Sequence, residues 1–159
     1  MNAILDATEG APERLLSPGD LVVRAGERGP LLVILAGRLE VRRGDLVVAS
    51  ISEPGAVVGE ISALTGDSYS TDVVAVEPST VRVVADGAAF LEENPAALKE
   101  VAELLARRLR AMTSYLADLE TQYGSAPGLA MVHEVLGTLS GTHLPAARPG
   151  SAREPDPEY

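Results

Sequence analysis

The stretch PGAVVGEISALTGDSYSTDVVAVEPSTVRVV, residues 54–84, decides which fold the rest of the chain adopts. Its pattern predicts a strand, a turn at Gly59, a short helix from Glu60 to Leu64, and then two more strands. A helix start of this kind presents free backbone N–H groups, as phosphate-cradling loops do. No lysine or arginine lies between Gly59 and Ala75, however, so the usual cationic anchor for a bound anion is missing.

Short apolar runs continue on both sides of this stretch. From Leu15 to about Asp86 they are separated by Gly, Pro or Asp, which end strands and form turns. The sequence RRGD, residues 42–45, is typical of a hairpin tip between two of these strands. Many short, evenly spaced strands predict a mainly β domain of the sandwich, barrel or jelly-roll-like β-roll type.

The period of the apolar residues changes at Asn94. Spacings of three and four predict a long amphipathic helix over residues 94–121, with Asn94 as its N-cap and Pro95 as its first residue. This apolar stripe could form a homodimer seam by helix pairing, and covering the β domain is the alternative. The stripe consists of Leu98, Val101, Leu105, Leu109, Met112, Leu116 and Leu119.

The predicted organisation has four parts. An N-terminal segment, residues 1–14, precedes a domain over residues 15–123 that includes the long helix. Apolar spacing within residues 124–142 predicts a short helical extension. The Pro- and Gly-rich residues 143–159 predict a flexible tail.

Composition and charge argue against several classes of function. The formal net charge of −10 and the aromatic content of 3% argue against a nucleic-acid-binding surface. The chain has no cysteine, and both histidines, His133 and His143, lie outside the β segment, so we expect no metal site and no catalytic triad. The sequence shows no secretory signal and no membrane-spanning run, so we expect a cytoplasmic protein that is not an enzyme and binds no membrane.

Two stretches carry a resemblance to a known family. SPGDLVVRAGERGPLLVILAGRLEV, residues 17–41, followed by residues 54–84 and a long amphipathic helix, resembles the cyclic-nucleotide-binding domain. That domain is the β-roll of catabolite-activator-type bacterial regulators, of protein kinase A regulatory subunits and of certain ion channels. The resemblance covers Leu15 to Glu120 and implies a cyclic-nucleotide-binding β-roll that stands alone, without a winged helix-turn-helix.

The resemblance implies a phosphate-binding cassette that begins at Gly59. Glu60 would accept a hydrogen bond from the ribose 2′-hydroxyl, and the backbone of Ile61 and Ser62 would meet the cyclic phosphate. An alternative role for Glu60 is that of a plain helix-start charge, which the helix dipole favours.

The cassette departs from the family at its anchor. Tyr69 stands where the family has an arginine, while Ser70 occupies the position of the small residue that follows. A charge-assisted contact to phosphate contributes about 1.5–3 kcal/mol, so its loss weakens binding roughly ten- to a hundredfold. Three roles are open for Tyr69 in this position: it donates a hydrogen bond through its phenol, offers its ring as a stacking face, or is an ordinary residue on the strand surface. Asp72 adds a negative charge whose direction the strand alternation does not fix.

The long helix adds a partial match to the same family. In catabolite-activator-type proteins a Thr–Ser pair on this helix reaches the base from both subunits, and Thr113 with Ser114 resembles that pair. The pair falls one residue late, which turns the hydroxyls by about 100° around the helix. No turn and recognition helix follow, so we expect no direct DNA binding by this chain.

Three functional hypotheses follow. The first is a free-standing sensor that binds cyclic AMP, cyclic GMP or a related small anion, needs no cofactor and reorients its C-terminal helix. The second is a degenerate β-roll that binds no nucleotide and serves as a protein interaction or assembly module. The third is a transcription-factor fragment that needs a DNA-binding partner chain. Stabilisation by a ligand separates the first hypothesis from the second.

Overall fold

The computed structural model describes residues 2–123 and 130–139 of the chain. The chain divides into two units, Met1–Leu104 and Leu105–Tyr159. The elements in chain order are α1 (Ala3–Ala7), β1 (Glu13–Leu16), β2 (Leu21–Val23), β3 (Leu31–Ala36), β4 (Leu39–Arg43), β5 (Leu46–Ile51), β6 (Val57–Val58), α2 (Glu60–Thr65), β7 (Asp72–Ala75), β8 (Ser79–Val84), α3 (Gly87–Glu93), α4 (Pro95–Tyr123) and α5 (Ala130–Leu139).

Two four-stranded antiparallel sheets form the β domain. The strand order is β1-β8-β3-β6 in the first sheet and β2-β7-β4-β5 in the second. Alternate side chains from both sheets meet in one apolar core, in which Ile34, Leu39, Val73 and Val81 are fully buried. Each such side chain contributes about 1.5–3 kcal/mol by leaving water. The predicted β-roll, mainly β with a long helix after it, is confirmed.

The turns that position the cassette agree with the sequence pattern. Gly44 and Asp45 alone join β4 to β5, which confirms the predicted hairpin tip. The short helix α2 begins at Glu60, as expected, and ends one residue later than predicted. Residues 54–84 therefore contain β6, α2, β7 and β8 in the predicted order.

The long helix α4 begins at Pro95, as predicted, and Asn94 stands at its N-cap position, where the backbone carbonyl of Asn94 accepts the N–H of Leu98 at 3.0 Å. Its side-chain amide instead donates to the carbonyl of Phe90 at 2.8 Å, at the end of α3. The reason is that α3 ends only one residue before α4 begins, so the carbonyls of α3 lie within reach of this amide.

Two helices, α1 and α3, lie where the sequence pattern predicts none. Both are short, and each is held by specific contacts more than by apolar periodicity. For α3, the carboxylate of Asp86 accepts the N–H of Ala89 at 2.9 Å, and Leu91 is buried.

Helix α4 passes from the first unit into the second, so the predicted domain over residues 15–123 has parts in both units. Near its start Ala97 and Val101 are buried, whereas Leu109 and Met112 further along are 51% and 59% exposed. These exposed residues belong to the predicted homodimer seam, which stays a prediction.

The C-terminal predictions are only partly covered by the described residues. Helix α5 lies inside the predicted helical extension, residues 124–142. Residues 124–129, the side chain of His133 and the predicted tail, residues 143–159, lie outside the described part. Within residues 2–123 and 130–139, no helix is both long and apolar enough to cross a membrane.

Candidate functional site

Glycine at position 59 starts helix α2 with a left-handed backbone. The φ angle of Gly59 is +95°, a region that residues with a β-carbon avoid, so the turn from β6 into α2 requires glycine. Glu60 follows as the first helical residue and is only 5% exposed. The first two residues of the predicted cassette thus form a tight turn followed by a buried carboxylate.

Tyr69 points into the β-roll and is only 4% exposed. Its ring belongs to the apolar core together with residues such as Val73. Its hydroxyl donates to the carbonyl of Pro30 at 2.5 Å, and the carbonyl of Val58 lies at 3.3 Å as a second acceptor. The residue that replaces the expected arginine is therefore a fixed part of the interior.

The tyrosine ring lies against two glycines. A β-carbon on Gly59 would lie 2.7 Å from Cζ of Tyr69 and closer still to the hydroxyl oxygen. A β-carbon on Gly29 would lie 2.9 Å from Cε2 of the same ring. Both distances are too short for real carbon atoms, so the ring fits only because neither position carries a side chain.

Backbone hydrogen bonds tie the loop between β2 and β3 to the same residue. The N–H of Gly26 donates to the carbonyl of Tyr69 at 2.7 Å, and the N–H of Tyr69 donates to the carbonyl of Glu27 at 2.9 Å. The carboxylate of Asp72 accepts the N–H of Ala25 at 2.7 Å. Asp72, whose direction the sequence left open, therefore fixes this loop.

The electrostatics of the site favour a neutral phenol. Burial raises the pKa of Tyr69 above its ordinary value, and the negative charge of Glu60 raises it further. The hydroxyl therefore keeps its proton and remains a hydrogen-bond donor at neutral pH.

The raised pKa of Tyr69 predicts an alkaline loss of stability. Above about pH 10 the unfolded chain ionises this phenol while the folded chain does not, so stability falls by up to about 1.4 kcal/mol per pH unit. The contribution is fully present below pH 10. Tyr69→Phe lacks this dependence, but it loses about 1 kcal/mol at neutral pH because the hydrogen bond to Pro30 is absent.

Urea unfolding of both proteins at neutral pH and at about pH 11 measures this difference. Wild type loses up to about 1.4 kcal/mol by pH 11, so its advantage of about 1 kcal/mol over Tyr69→Phe should disappear or reverse at the higher pH. A gap that does not change with pH would contradict the raised pKa.

The other site residues predicted from the sequence are mostly exposed or half-buried. Ile61 is 58% exposed, Ser62 is half-buried and Ser70 is exposed. Thr113 donates its hydroxyl to the carbonyl of Leu109 within α4 at 2.8 Å, and Ser114 is exposed. These two lie in the second unit, and their predicted contact with a base stays a prediction.

The structure brings Gly59, Glu60 and Tyr69 together. It also shows two partners of Tyr69 that the sequence pattern does not indicate. Gly29 leaves room for the ring and Pro30 supplies the carbonyl acceptor. The only signal for them is the sequence RGP before β3, which by itself indicates a turn. Sequence spacing gives no means of knowing that this turn lies against a residue forty positions later.

Two four-stranded antiparallel sheets, with a short glycine-started helix between β6 and β7, define the domain as a β-roll. The family model for the cyclic nucleotide-binding domain matches residues 13–92, half of the chain. The chain therefore belongs to the cyclic nucleotide-binding domain family. No curated protein matches the chain significantly.

Solved structures share the fold. The chain is 28% identical to the Thermus thermophilus catabolite activator protein, with a TM-score of 0.59, over 77% of this chain and 59% of that one. It is 27% identical to the regulatory subunit of a cAMP-independent protein kinase A from Trypanosoma brucei, with a TM-score of 0.52, over 65% of this chain and 38% of that one. That structure is a triple mutant, with one threonine replaced by arginine, bound to cAMP in the A site. The chain thus spans less than two thirds of either relative.

A third similar structure supports the fold alone. The N-terminal domain of a transcriptional regulator from Streptomyces coelicolor is 20% identical, with a TM-score of 0.51, over 70% of this chain and 82% of that one.

Proposed function

We propose that this chain is a regulatory module of the cyclic-nucleotide-binding class that works through protein contacts and does not bind cyclic AMP or cyclic GMP with ordinary affinity. The observation that carries the proposal is the burial of Tyr69, which stands in the sequence where the family has its arginine and whose hydroxyl donates to the carbonyl of Pro30. The proposed role is regulation and not catalysis.

Two effects weaken the binding of a cyclic nucleotide. Without an arginine the phosphate loses a contact of about 1.5–3 kcal/mol. Tyr69 also cannot be moved aside freely, since its ring belongs to the core and its hydroxyl would leave the carbonyl of Pro30 without its partner. Together these effects predict binding at least ten- to a hundredfold weaker than in a cassette that keeps the arginine, by an order-of-magnitude conversion of about 1.5–3 kcal/mol.

The Trypanosoma brucei relative supports this reading. That protein kinase A is described as cAMP-independent, and its cAMP-bound form carries an introduced arginine. The same relation between arginine and nucleotide is what we propose for the cassette that begins at Gly59.

A calorimetric and thermal-shift titration of the chain tests the proposal. With cyclic AMP or cyclic GMP up to about 1 mM we expect no saturable heat and a shift in Tm below about 1 °C, because only a ligand that binds the folded state stabilises it. AMP serves as the control ligand. Saturable stabilisation by either cyclic nucleotide, lost in Glu60→Ala, would overturn the proposal.

A second candidate is the sensor of a cyclic nucleotide or related small anion. The left-handed turn at Gly59 and the buried carboxylate of Glu60 favour it, since the resemblance assigns these two residues to the start of the cassette. The same titration decides between the two candidates.

For either candidate, the exposed Leu109 and Met112 on α4 support pairing with a second copy of the chain. The net charge of −10 supports neither DNA nor an anionic membrane surface as a partner.

A further inference from the structure

Helix α1 is fixed at its first turn by two acceptors. The side-chain oxygen of Asn2 accepts the N–H groups of Ile4 and Leu5, each at 3.1 Å. The carboxylate of Glu100, at the start of α4, accepts the N–H of Ala3 at 2.8 Å. These acceptors satisfy the free donors of the helix start, so a helix of only five residues holds one position.

The other end of α1 is held by the first sheet. Arg82 of β8 donates from Nη1 to the carbonyl of Leu5 at 2.9 Å. Thr8 is buried and donates its hydroxyl to the carbonyl of Ile4 at 2.7 Å. A cation at this end complements the helix dipole. Because both ends are fixed, the surface between α1 and the β-roll is preformed.

That surface is an open groove with a volume of about 380 Å³. One wall comes from α1 and the turn after it, and the rest comes from β3, β8 and the segment before β6. The residues that line the groove are Leu5, Asp6, Glu9, Leu35, Pro54 and Arg82. Its volume is that of a site for one or two side chains, and its open form suits a segment of polypeptide that lies along it.

The arginine of the groove does not neutralise the two carboxylates that line it. Arg82 is already engaged, since Nη1 bonds to α1 and Nε lies 3.5 Å from a carboxylate oxygen of Glu13. Asp6 and Glu9 are exposed, and within residues 2–123 and 130–139 neither side-chain carboxylate accepts a hydrogen bond or forms an ion pair. The groove therefore combines three apolar residues, Leu5, Leu35 and Pro54, with two carboxylates that have no partner among the described residues.

We propose that this groove is a docking site for a partner polypeptide that places a lysine or arginine beside an apolar side chain. The cation would meet Asp6 and Glu9, and the apolar side chain would cover Leu35 and Pro54. The net charge of −10 attracts a basic partner over longer range. The inference names a surface for the protein contacts proposed above, but it stands whether or not the cassette binds a nucleotide.

The test uses NMR titration of the isotope-labelled chain with a short peptide of alternating leucine and arginine, blocked at both ends. Saturable shifts are expected at the amides of Leu5, Asp6 and Leu35. A matched peptide with glutamine in place of arginine should bind about tenfold more weakly, and one with glutamate should not bind.

Two double variants separate the groove from general charge attraction. Asp6→Asn with Glu9→Gln should weaken binding about tenfold with an unchanged Tm, because neither side chain makes a contact that supports the fold. Glu92→Gln with Glu93→Gln removes the same charge from exposed positions on α3 and should leave binding unchanged. Absence of saturable shifts, equal binding of the glutamine peptide, or equal loss in both double variants would overturn the proposal. None of these outcomes depends on the cyclic-nucleotide titration.

Discussion

Replacing Gly59 with alanine should lower the free energy of unfolding by about 2–5 kcal/mol. Two causes add. The left-handed backbone, with φ of +95°, costs a residue with a β-carbon about 1–2 kcal/mol. The new methyl group would also overlap the phenol of Tyr69, and overpacking of this kind costs about 1–3 kcal/mol. Thermal unfolding should show a fall in Tm of roughly 10 °C.

Gly66 provides a matched control at the other end of α2. Its φ angle is +77°, but no atom of the described residues lies within 4 Å of an added β-carbon. Gly66→Ala should therefore lose only the backbone contribution of about 1–2 kcal/mol. If Gly59→Ala loses no more than Gly66→Ala, the tyrosine ring does not lie against the start of the cassette.

A double-mutant cycle isolates the contact itself. In a Tyr69→Leu background the hydroxyl and Cζ are absent, so Gly59→Ala should cost nearly as little as Gly66→Ala. A small excess should remain, because the carbonyl oxygen of Pro30 would lie 2.9 Å from the added β-carbon. The expected coupling energy is about 1–2 kcal/mol between positions 59 and 69, typical of residues in direct contact. A coupling near zero would contradict the steric argument.

The elements that the sequence could predict are those with a local signal. The strands β2 to β8 are short apolar runs bounded by turn residues, and α4 repeats its apolar residues with helical spacing. Helix α1 has no such periodicity, and besides its local cap at Asn2 it is held by Glu100 and Arg82, which lie about 80 to 100 residues later. Long-range contacts of this kind leave no trace in a window of sequence.

The sequence identifies which residues belong to the candidate site, but it does not show how their side chains are oriented. The resemblance identifies Tyr69 as the residue in place of arginine, yet alternation alone does not say whether its ring faces the core or the solvent. Two features outside the cassette decide this, namely the missing side chain at Gly29 and the carbonyl of Pro30. The orientation of Asp72 is equally hard to predict from the sequence, because its hydrogen-bond partner is a backbone N–H on the neighbouring loop.

Tyr69→Arg is the change that should alter function most. In the absence of ligand it replaces a buried ring with a guanidinium, and the free energy of unfolding should fall by about 3 kcal/mol or more. Glu60 is the nearby carboxylate that limits this loss by pairing with the new cation. Cyclic AMP should then stabilise the variant saturably, because a charge-assisted contact strengthens phosphate binding roughly ten- to a hundredfold.

The matched control is Tyr123→Arg, which makes the same chemical change at a residue of α4 that is 54% exposed. It should change stability by less than about 0.5 kcal/mol and show no response to cyclic AMP. Thermal-shift and calorimetric titrations of wild type and both variants give the comparison. A response in Tyr69→Arg alone would show that the tyrosine is what excludes the nucleotide. An equal response in wild type would favour the sensor, whereas no response in any of them would mean that the cassette has lost more than its arginine.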